Sequence, residues 1–531
     1  MALKLEMEHP PTEESNQLSG NMSGEIVRDA SYFTVCTYIY QVAALAVGMV
    51  TRRFLGPEGA GTWSLFMMVL SYSALQHFGI IDGSERQIAY YRGRGKHDYA
   101  LNIKNNMFGV VGIISIVSAL AIIITALVAK SIFADHISWA LFHTGLIIPA
   151  FMAVNYATVA MRATKRFKLL GGSLVAVAGL NATVGIYLVW RWQLEGMFAS
   201  FLMINLANLL LWYFLTRHDD SISFKFSLSK SISREVFKVG LPITVLGLIW
   251  TLLRTVDSLV VVSSSGTEAL GFYALGVTIN GFIFQSPNAL SIVMFPRFQE
   301  KFGQSSDIME LKDYVVKPTT ALAFFVLPLL IGSAYFLAPV LIELVLPKFV
   351  PGIIPLKILL GGTFWISMVL MPFHLLITIN RQVTAIYFGL IGAALSFGGS
   401  ILAVRLGWGL SGVASMVALS YMIFFLWLFS YVVRSSKWKV KPIKYLAGII
   451  LGYFWMVMAA LGIDNLITSG ANITTQIALA VLKTFLFIIL CAPLFVIAER
   501  RTSVVSRCRQ HFGEIISKAR GRHKTDGRKI D

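Results

Sequence analysis

Apolar stretches of about twenty residues recur along the chain from Ser31 to Ala498, and short polar segments separate them. A helix needs roughly 20 apolar residues to cross a hydrocarbon core about 30 Å thick. The pattern therefore predicts an all-α polytopic membrane protein with about 14 transmembrane helices. The predicted spans are 31–51, 59–81, 107–129, 138–161, 169–190, 196–216, 239–263, 270–295, 315–342, 353–379, 383–404, 409–433, 445–462 and 473–498.

The charge distribution predicts the orientation of these spans. The net charge is +18 although only 14% of the residues are charged. Alternate junctions carry 24 basic residues, whereas the opposite loops carry six. This asymmetry follows the positive-inside rule and predicts cytoplasmic N- and C-termini in a multi-pass protein of the cell (cytoplasmic) membrane. It also explains the positive charge without a nucleic-acid partner.

Two short echoes indicate an internal repeat. Residues 56–65 (GPEGAGTWSL) resemble residues 266–275 (GTEALGFYAL), and residues 192–196 (WQLEG) resemble residues 408–412 (WGLSG). The offsets of 210 and 216 residues agree closely. Each repeat would contain six spans and begin on the cytoplasmic side of the membrane. This predicts two six-helix bundles that are parallel pseudo-repeats.

These patterns divide the chain into six predicted segments. They are a polar cytoplasmic N-terminal segment (1–29), an N-terminal six-helix bundle (30–217), a cytoplasmic linker (218–237), a C-terminal six-helix bundle (238–434), two additional helices (435–498) and a basic cytoplasmic tail (499–531).

Several motifs resemble those of the polysaccharide flippases of the multidrug/oligosaccharidyl-lipid/polysaccharide (MOP) superfamily, which export O-antigen and exopolysaccharide units. The resemblance lies in residues 53–65 (RFLGPEGAGTWSL), residues 83–93, residues 240–257, residues 295–297 and residues 346–359. It covers about 400 residues and both predicted halves. The arginine-rich motifs of the peptidoglycan-precursor flippases are not found.

The resemblance implies a MATE-like, V-shaped pair of helix bundles around a central cavity. It implies transport of a polyprenyl-pyrophosphate-linked oligosaccharide by alternating access for lipopolysaccharide or exopolysaccharide biosynthesis, with a cation gradient as a coupling source in some relatives. The partners to expect are the lipid-linked oligosaccharide, membrane lipids, a glycan polymerase and glycosyltransferases. No cofactor is expected.

Arg254 and Asp257 are the leading candidates for the transport site. They stand three positions apart in the seventh predicted span and therefore share one helix face, where they can pair. Charged groups at membrane depth commonly mark a transport pathway. Two readings stay open: a structural ion pair, or a cargo site in which Arg254 binds pyrophosphate and Asp257 acts as a counter-charge or coupling-ion site.

Three further residues within spans are weaker candidates. Lys357 opens the tenth span, where it can extend its ammonium group to the interface or contact phosphate. His374, in the same span, is either a hydrogen-bonded core residue or a second coupling-ion candidate. Asn288 belongs to a group of amides that either join neighbouring helices or meet sugar hydroxyls.

Arg86 and Arg92 lie at the predicted cytoplasmic mouth. They either anchor the orientation of the chain or capture an anionic headgroup. The predicted substrate contacts are therefore Arg254, Asp257, Lys357, Asn288, Arg86 and Arg92.

The sequence carries no motif that would make it an enzyme. It contains no Gly-x4-Gly-Lys-Ser/Thr loop for ATP, no His-Glu-x-x-His metal site and no Gly-x-Ser-x-Gly turn. The longest predicted outer loops have about ten residues, too few for the active-site loop of a glycan polymerase or ligase. The remaining alternatives are a multidrug/cation antiporter of the same superfamily and a lipid scramblase.

Overall fold

The structure is a computed structural model that describes residues 13–128, 135–217, 223–305, 307–438, 442–467 and 472–502. All regular secondary structure in these ranges is helical, as the apolar pattern predicts. Most of the predicted basic tail (499–531), the first 12 residues of the predicted N-terminal segment and residues 218–222 of the predicted linker lie outside the described residues.

Fifteen α-helices are present in the described ranges. They are α1 (Glu13–Ala74), α2 (Ile80–Gly93), α3 (His97–Val128), α4 (Asp135–Ala163), α5 (Phe167–Leu180), α6 (Ile186–Thr216), α7 (Lys230–Ser305), α8 (Lys312–Ala321), α9 (Leu327–Val345), α10 (Ile353–Thr378), α11 (Gln382–Arg405), α12 (Gly409–Ser435), α13 (Pro442–Leu466), α14 (Ile473–Leu490) and α15 (Ala492–Thr502). One π-helical turn joins α5 to α6 (Asn181–Gly185) and another joins α8 to α9 (Leu322–Val326).

Eleven helical stretches in the described ranges are long and apolar enough to cross a membrane, so the chain is a multi-pass membrane protein. Three of these stretches, with 46, 50 and 76 residues, are far longer than one crossing needs. Each contains a backbone break, at Gly56, Gln193 and Gly266 respectively. The predicted number of 14 spans requires each break to separate two crossings, and it stays a prediction.

The breaks at Gly56 and Gly266 have nearly the same backbone conformation. Their φ/ψ angles are 68°/−179° and 83°/−176°, in a region that only glycine visits at low cost. Pro57 then begins the next helical stretch, where its missing N–H costs nothing. The helix thus resumes directly after Gly56, whereas the sequence suggested a loop up to residue 58.

The two echoed segments also contact each other reciprocally. A Cβ atom added to Gly61 would lie 1.7 Å from the Thr267 carbonyl oxygen, and one added to Gly271 would lie 1.9 Å from the Pro57 carbonyl oxygen. Gly61 and Gly271 are related by the 210-residue offset, as are Pro57 and Thr267. Each backbone therefore approaches the other at an equivalent glycine, as the repeat in the sequence would require.

The described chain forms two compact units. Unit 1 contains the residues up to Leu55 together with Leu65–Leu248, and unit 2 contains Gly56–Ser64 together with the residues from Ile249 onward. The predicted segment boundaries are not tested by this division and stay predictions.

Unit 1 packs α4, α5 and α6 around a core that includes Met161, Leu170 and Trp212. The start of α7 is held against α2 and α3, because Glu235 accepts hydrogen bonds from Tyr91 and Tyr99, both at 2.8 Å. The bond to Glu235 raises the pKa of Tyr91, since it stabilises the protonated phenol.

Unit 2 is built around α10, which is apolar on nearly all sides and largely buried. A helix of this kind must pack against neighbours around its whole circumference. It lies against α12, and its Phe364 and Trp365 rings pack against each other and against Tyr453 of α13 with centroid separations of about 5 Å. Residues of α10 also line three of the cavities described below.

Candidate functional site

Arg254 and Asp257 line one cavity inside unit 2. Both side chains come from α7, and the part of α7 beyond the Gly266 break adds further lining residues. α10 and α12 complete the wall. The cavity measures about 470 Å³ including the part open to solvent, and its other lining residues are Val277, Asn280, Gly281, Phe284, Leu359, Thr363, Ile366, Val417 and Tyr421.

Asp257 is a buried carboxylate that is only half satisfied. It is 3% exposed, and its Oδ2 accepts a hydrogen bond of 2.6 Å from the Tyr273 hydroxyl. Its Oδ1 is buried and has no hydrogen-bond partner among the described residues. A buried acceptor without a partner costs about 1–3 kcal/mol, and more when it is charged. This oxygen can therefore accept a further bond from a donor that enters the cavity.

Arg254 does not pair with this carboxylate. Its side chain is exposed, and the guanidinium carbon lies 5.0 Å from the centroid of the Phe284 ring. Their spacing predicted a shared helix face, and both side chains line the same cavity. The structure shows no ion contact between Arg254 and Asp257 within 4 Å: Asp257 accepts its hydrogen bond from Tyr273, and Arg254 stacks on an aromatic face. The choice between a structural pair and a cargo site stays a prediction.

The wall behind these two residues is fixed by hydrogen bonds between helices. Thr363 Oγ1 donates to Asn280 Oδ1 at 2.7 Å, which joins α10 to α7. The Tyr421 hydroxyl donates to the Leu253 carbonyl oxygen at 2.6 Å, which joins α12 to α7. The sequence analysis did not identify Tyr273, Thr363 or Tyr421. Each contacts a residue that is distant in the sequence, and no local pattern shows such a contact.

Lys357 faces away from this cavity. On α10, Leu359, Thr363 and Ile366 face the Arg254 cavity, whereas Lys357 lies on another side of the helix. Its Nζ contacts Asp464 Oδ2 at 2.5 Å, and Lys483 Nζ contacts Oδ1 of the same carboxylate at 2.8 Å. The sequence suggested an interface residue or a phosphate contact but did not indicate Asp464.

His374 and Asn288 also lie outside the lining of the Arg254 cavity. The His374 ring lies 4.6 Å from the Phe295 ring, and its Nδ1 is buried without a hydrogen-bond partner in the described ranges. The bond predicted for a core histidine is therefore not formed at Nδ1. Asn288 is half-buried, and it is Asn280 that contributes an amide to the cavity.

Arg86 and Arg92 belong to unit 1 and lie on α2. Arg92 lines a cavity of about 740 Å³, including its open part, with His97, Asp98, Lys104 and Thr164 among its other lining residues. Arg86 is exposed and is not part of that lining. The structure thus places one of these two arginines in a cavity and the other at the surface.

A neighbouring ion pair fixes α2 to α4 in unit 1. Arg162 contacts Glu85 through two of its nitrogens, at 3.2 Å and 3.3 Å. Burial raises the pKa of the Glu85 carboxyl, and the positive charge of Arg162 opposes this shift. Glu85, the acidic residue among residues 83–86, is therefore paired with Arg162.

The Arg254 cavity combines groups of complementary chemistry. An exposed guanidinium can bind an anionic group through several N–H donors. The free oxygen of Asp257 can take a proton or a cation, and Phe284 and Tyr421 offer aromatic faces. No group of three or more metal-ligating side chains is found in the described part of the chain.

Known structures share this fold. An inward-facing multidrug resistance MATE family transporter of the MOP superfamily superposes with a TM-score of 0.64 at 16% identity, covering 75% of this chain and 96% of that one. A MOP superfamily transporter from Pyrococcus furiosus gives 0.58 at 16% identity, covering 78% and 95%. An outward-facing MATE transporter gives 0.57 at 16% identity, covering 77% and 95%.

The sequence comparisons identify the family. No curated protein matches the chain significantly in sequence. Residues 26–302, just over half of the 531 residues, match the family described as Polysaccharide biosynthesis protein. The match includes the motifs at residues 53–65, 83–93, 240–257 and 295–297, and the solved structures confirm the MATE-like fold that the resemblance implied. The chain therefore belongs to the polysaccharide biosynthesis protein family and has the fold of MOP superfamily transporters.

Proposed function

We propose that this protein is a flippase for polyprenyl-pyrophosphate-linked oligosaccharide units. It moves them by alternating access from the cytoplasmic to the outer leaflet of the cytoplasmic membrane, as a step in surface polysaccharide biosynthesis. The family supports the polysaccharide part of this proposal, and the fold supports the transport part. The cargo is the anionic, lipid-linked form of the glycan.

The observation that carries the choice of cargo is the exposed Arg254 guanidinium in the unit 2 cavity. A pyrophosphate cannot enter hydrocarbon without cationic or N–H donors around it. Among the described residues Arg254 has no ion contact within 4 Å, and its guanidinium stacks on the Phe284 ring. In this proposal the guanidinium donors bind the pyrophosphate, while the polyprenyl tail stays in lipid.

Asp257 is the proposed coupling group. Its unpartnered oxygen would bind a proton or a small cation and release it in the other state of the transporter. Binding of a cation would remove the cost of the unsatisfied acceptor, so one state is stabilised relative to the other. His374, which lies outside this cavity, is a weaker coupling candidate.

The proposed topology has both termini in the cytoplasm, as the distribution of basic residues predicts. A single cysteine introduced at Asn472 should react with a membrane-impermeant thiol reagent added from outside. Labelling from the cytoplasmic side alone would contradict the topology.

The function is tested by deleting the gene in a strain without a second flippase. Surface polysaccharide should be lost and lipid-linked oligosaccharide should accumulate in the cytoplasmic leaflet, and expression of the wild-type chain should restore both. Normal surface polysaccharide in the deletion strain would contradict the proposal.

The multidrug/cation antiporter is the second candidate, and the Asp257 carboxylate beside aromatic residues favours it. Such a site also suits an organic cation. The same deletion strain separates the two functions, because an antiporter would leave the polysaccharide intact and raise sensitivity to cationic dyes.

A further inference from the structure

Unit 2 contains a second polar cluster, whose residues do not line the Arg254 cavity. Lys357 lies near the start of α10, Asp464 near the end of α13 and Lys483 within α14. Two lysines share the single Asp464 carboxylate, at 2.5 Å and 2.8 Å. Lys483 is only 8% exposed. The Asp464 carboxylate balances only one of the two lysine charges, although the Lys483 ammonium is buried. A second anion beside the lysines would therefore stabilise this arrangement.

A carboxylate without an ion pair lines the same cavity. Glu343, near the end of α9, borders the space of about 950 Å³ (open part included) that also contains Lys357, Asp464 and Lys483. Glu343 is exposed and forms no ion pair with any described residue. The cavity thus presents an excess cation and a separate free anion, and its four charged groups sum to zero.

This polar cavity adjoins a large apolar one. Tyr335 and Lys357 line both. The apolar cavity measures about 1370 Å³, including its open part, and is formed by α9, α10, α12, α13 and α14. Its walls are mainly aliphatic and aromatic, with Trp365, Met456 and Phe487 among them. The Lys357 ammonium lies 4.5 Å from the centroid of the Tyr335 ring, at the boundary between the two cavities.

We propose that this composite cavity binds a zwitterionic phospholipid with a primary amine in its headgroup. The phosphodiester would contact Lys357 and Lys483, the ammonium would pair with Glu343, and the acyl chains would occupy the apolar cavity. A phosphodiester and an ammonium carry one charge each, which matches the excess cation and the free carboxylate. A pyrophosphate-linked glycan fits less well, because it adds at least two negative charges beside two carboxylates.

The role of this lipid is to join α13 and α14 to the rest of unit 2. Lys357 on α10 and Glu343 on α9 would contact the same headgroup as Lys483 on α14, and the acyl chains would lie against α13. The proposal is independent of the transported cargo, since none of these residues lines the Arg254 cavity.

The test uses the full purified chain in nanodiscs that contain phosphatidylethanolamine and phosphatidylglycerol in equal amounts. Native mass spectrometry counts the lipids retained, and thermal unfolding measures the stabilisation by each lipid alone. We expect preferential retention of phosphatidylethanolamine by about fivefold, the effect of one favourable ion pair. Phosphatidylcholine, whose quaternary ammonium has no N–H donor, should be retained less.

Two variants and one control make the test specific. Glu343→Gln, an exposed position that should fold normally, should abolish the preference for phosphatidylethanolamine over phosphatidylglycerol. Lys357→Gln should lower the retention of both lipids. Lys348→Gln, an exposed lysine in the segment Pro347–Gly352 that lines neither cavity, should behave as the wild type.

Three outcomes would overturn the proposal. The first is an unchanged lipid preference in Glu343→Gln. The second is stabilisation by inorganic phosphate equal to that by phosphatidylethanolamine, which would make the cluster a free-phosphate site. The third is displacement of phosphatidylethanolamine by polyprenyl phosphate at equal concentration, which would assign the cavity to the cargo.

Discussion

The two charged residues of the Arg254 cavity differ in what holds them. Asp257 is buried and bound to Tyr273, whereas Arg254 is exposed and lies over Phe284. Removing Arg254 should therefore cost little stability, about 0.5–1 kcal/mol for an exposed cation–π contact. Removing Asp257 leaves the buried Tyr273 hydroxyl without its acceptor, which costs about 1–3 kcal/mol. The two residues are therefore expected to differ in how much their removal destabilises the protein.

Arg254→Ala should lower transport about tenfold or more while the protein still reaches the membrane, because a charge-assisted hydrogen bond contributes about 1.5–3 kcal/mol. Arg254→Lys should restore part of the activity, since an ammonium lacks the planar fork of the guanidinium. The measurement is surface polysaccharide per unit of membrane-inserted protein. Arg405→Ala, an exposed arginine at the end of α11 outside the cavity, is the matched control.

A structural ion pair would give a different pattern. Each single variant would then be degraded, and the double variant Arg254→Met/Asp257→Leu would recover both insertion and transport. Recovery in the double variant would contradict the cargo role of Arg254.

At the scale of the helices, much of the fold could be predicted from the apolar pattern. Its period and length indicate membrane helices, and glycine together with proline marks the break at Gly56 and Pro57. The echo at residues 266–275 predicted a related element, and Gly266 has the matching backbone conformation. The predicted junction at residues 191–195 contains the third break, but the sequence could not show that Gln193 carries it, because a non-glycine residue at φ 48° gives no local signal. The Lys357–Asp464–Lys483 cluster joins residues 107 and 19 positions apart, beyond any local pattern.

Gly266→Ala should destabilise the protein by about 1–2 kcal/mol, because an L side chain is strained at φ 83°. Gly271→Ala should destabilise it as well, since the added Cβ would meet the Pro57 carbonyl oxygen. Gly398→Ala in α11 is the control: it has open space and helical geometry, so it should be neutral or stabilising by up to ~1 kcal/mol. Thermal unfolding of the purified variants measures all three. Equal stability of Gly266→Ala and Gly398→Ala would contradict the strained break.

At the scale of the molecule, the family, the fold and the Arg254 cavity all support the proposed transport function. The sequence family concerns polysaccharide biosynthesis, the fold is that of MOP superfamily transporters, and unit 2 offers an exposed guanidinium inside a cavity. The sequence predicted the fold class, and it pointed to Arg254 and Asp257, which line one cavity; their role in transport stays a prediction. The sequence could not predict that Lys357 lines another cavity. When a helix is apolar on nearly all sides, its sequence does not show which side faces which neighbouring helix.

The most direct test of the central claim uses purified protein in liposomes loaded with a fluorescent polyprenyl-pyrophosphate-linked oligosaccharide. A membrane-impermeant quencher or glycosidase reports how much of the glycan has changed leaflet. Transfer of the glycan should be much faster with the wild-type chain than in empty liposomes. Arg254→Ala should slow it about tenfold or more, whereas Arg405→Ala should not. Equal rates with and without the wild-type protein, or equal rates for wild type and Arg254→Ala, would contradict the proposal.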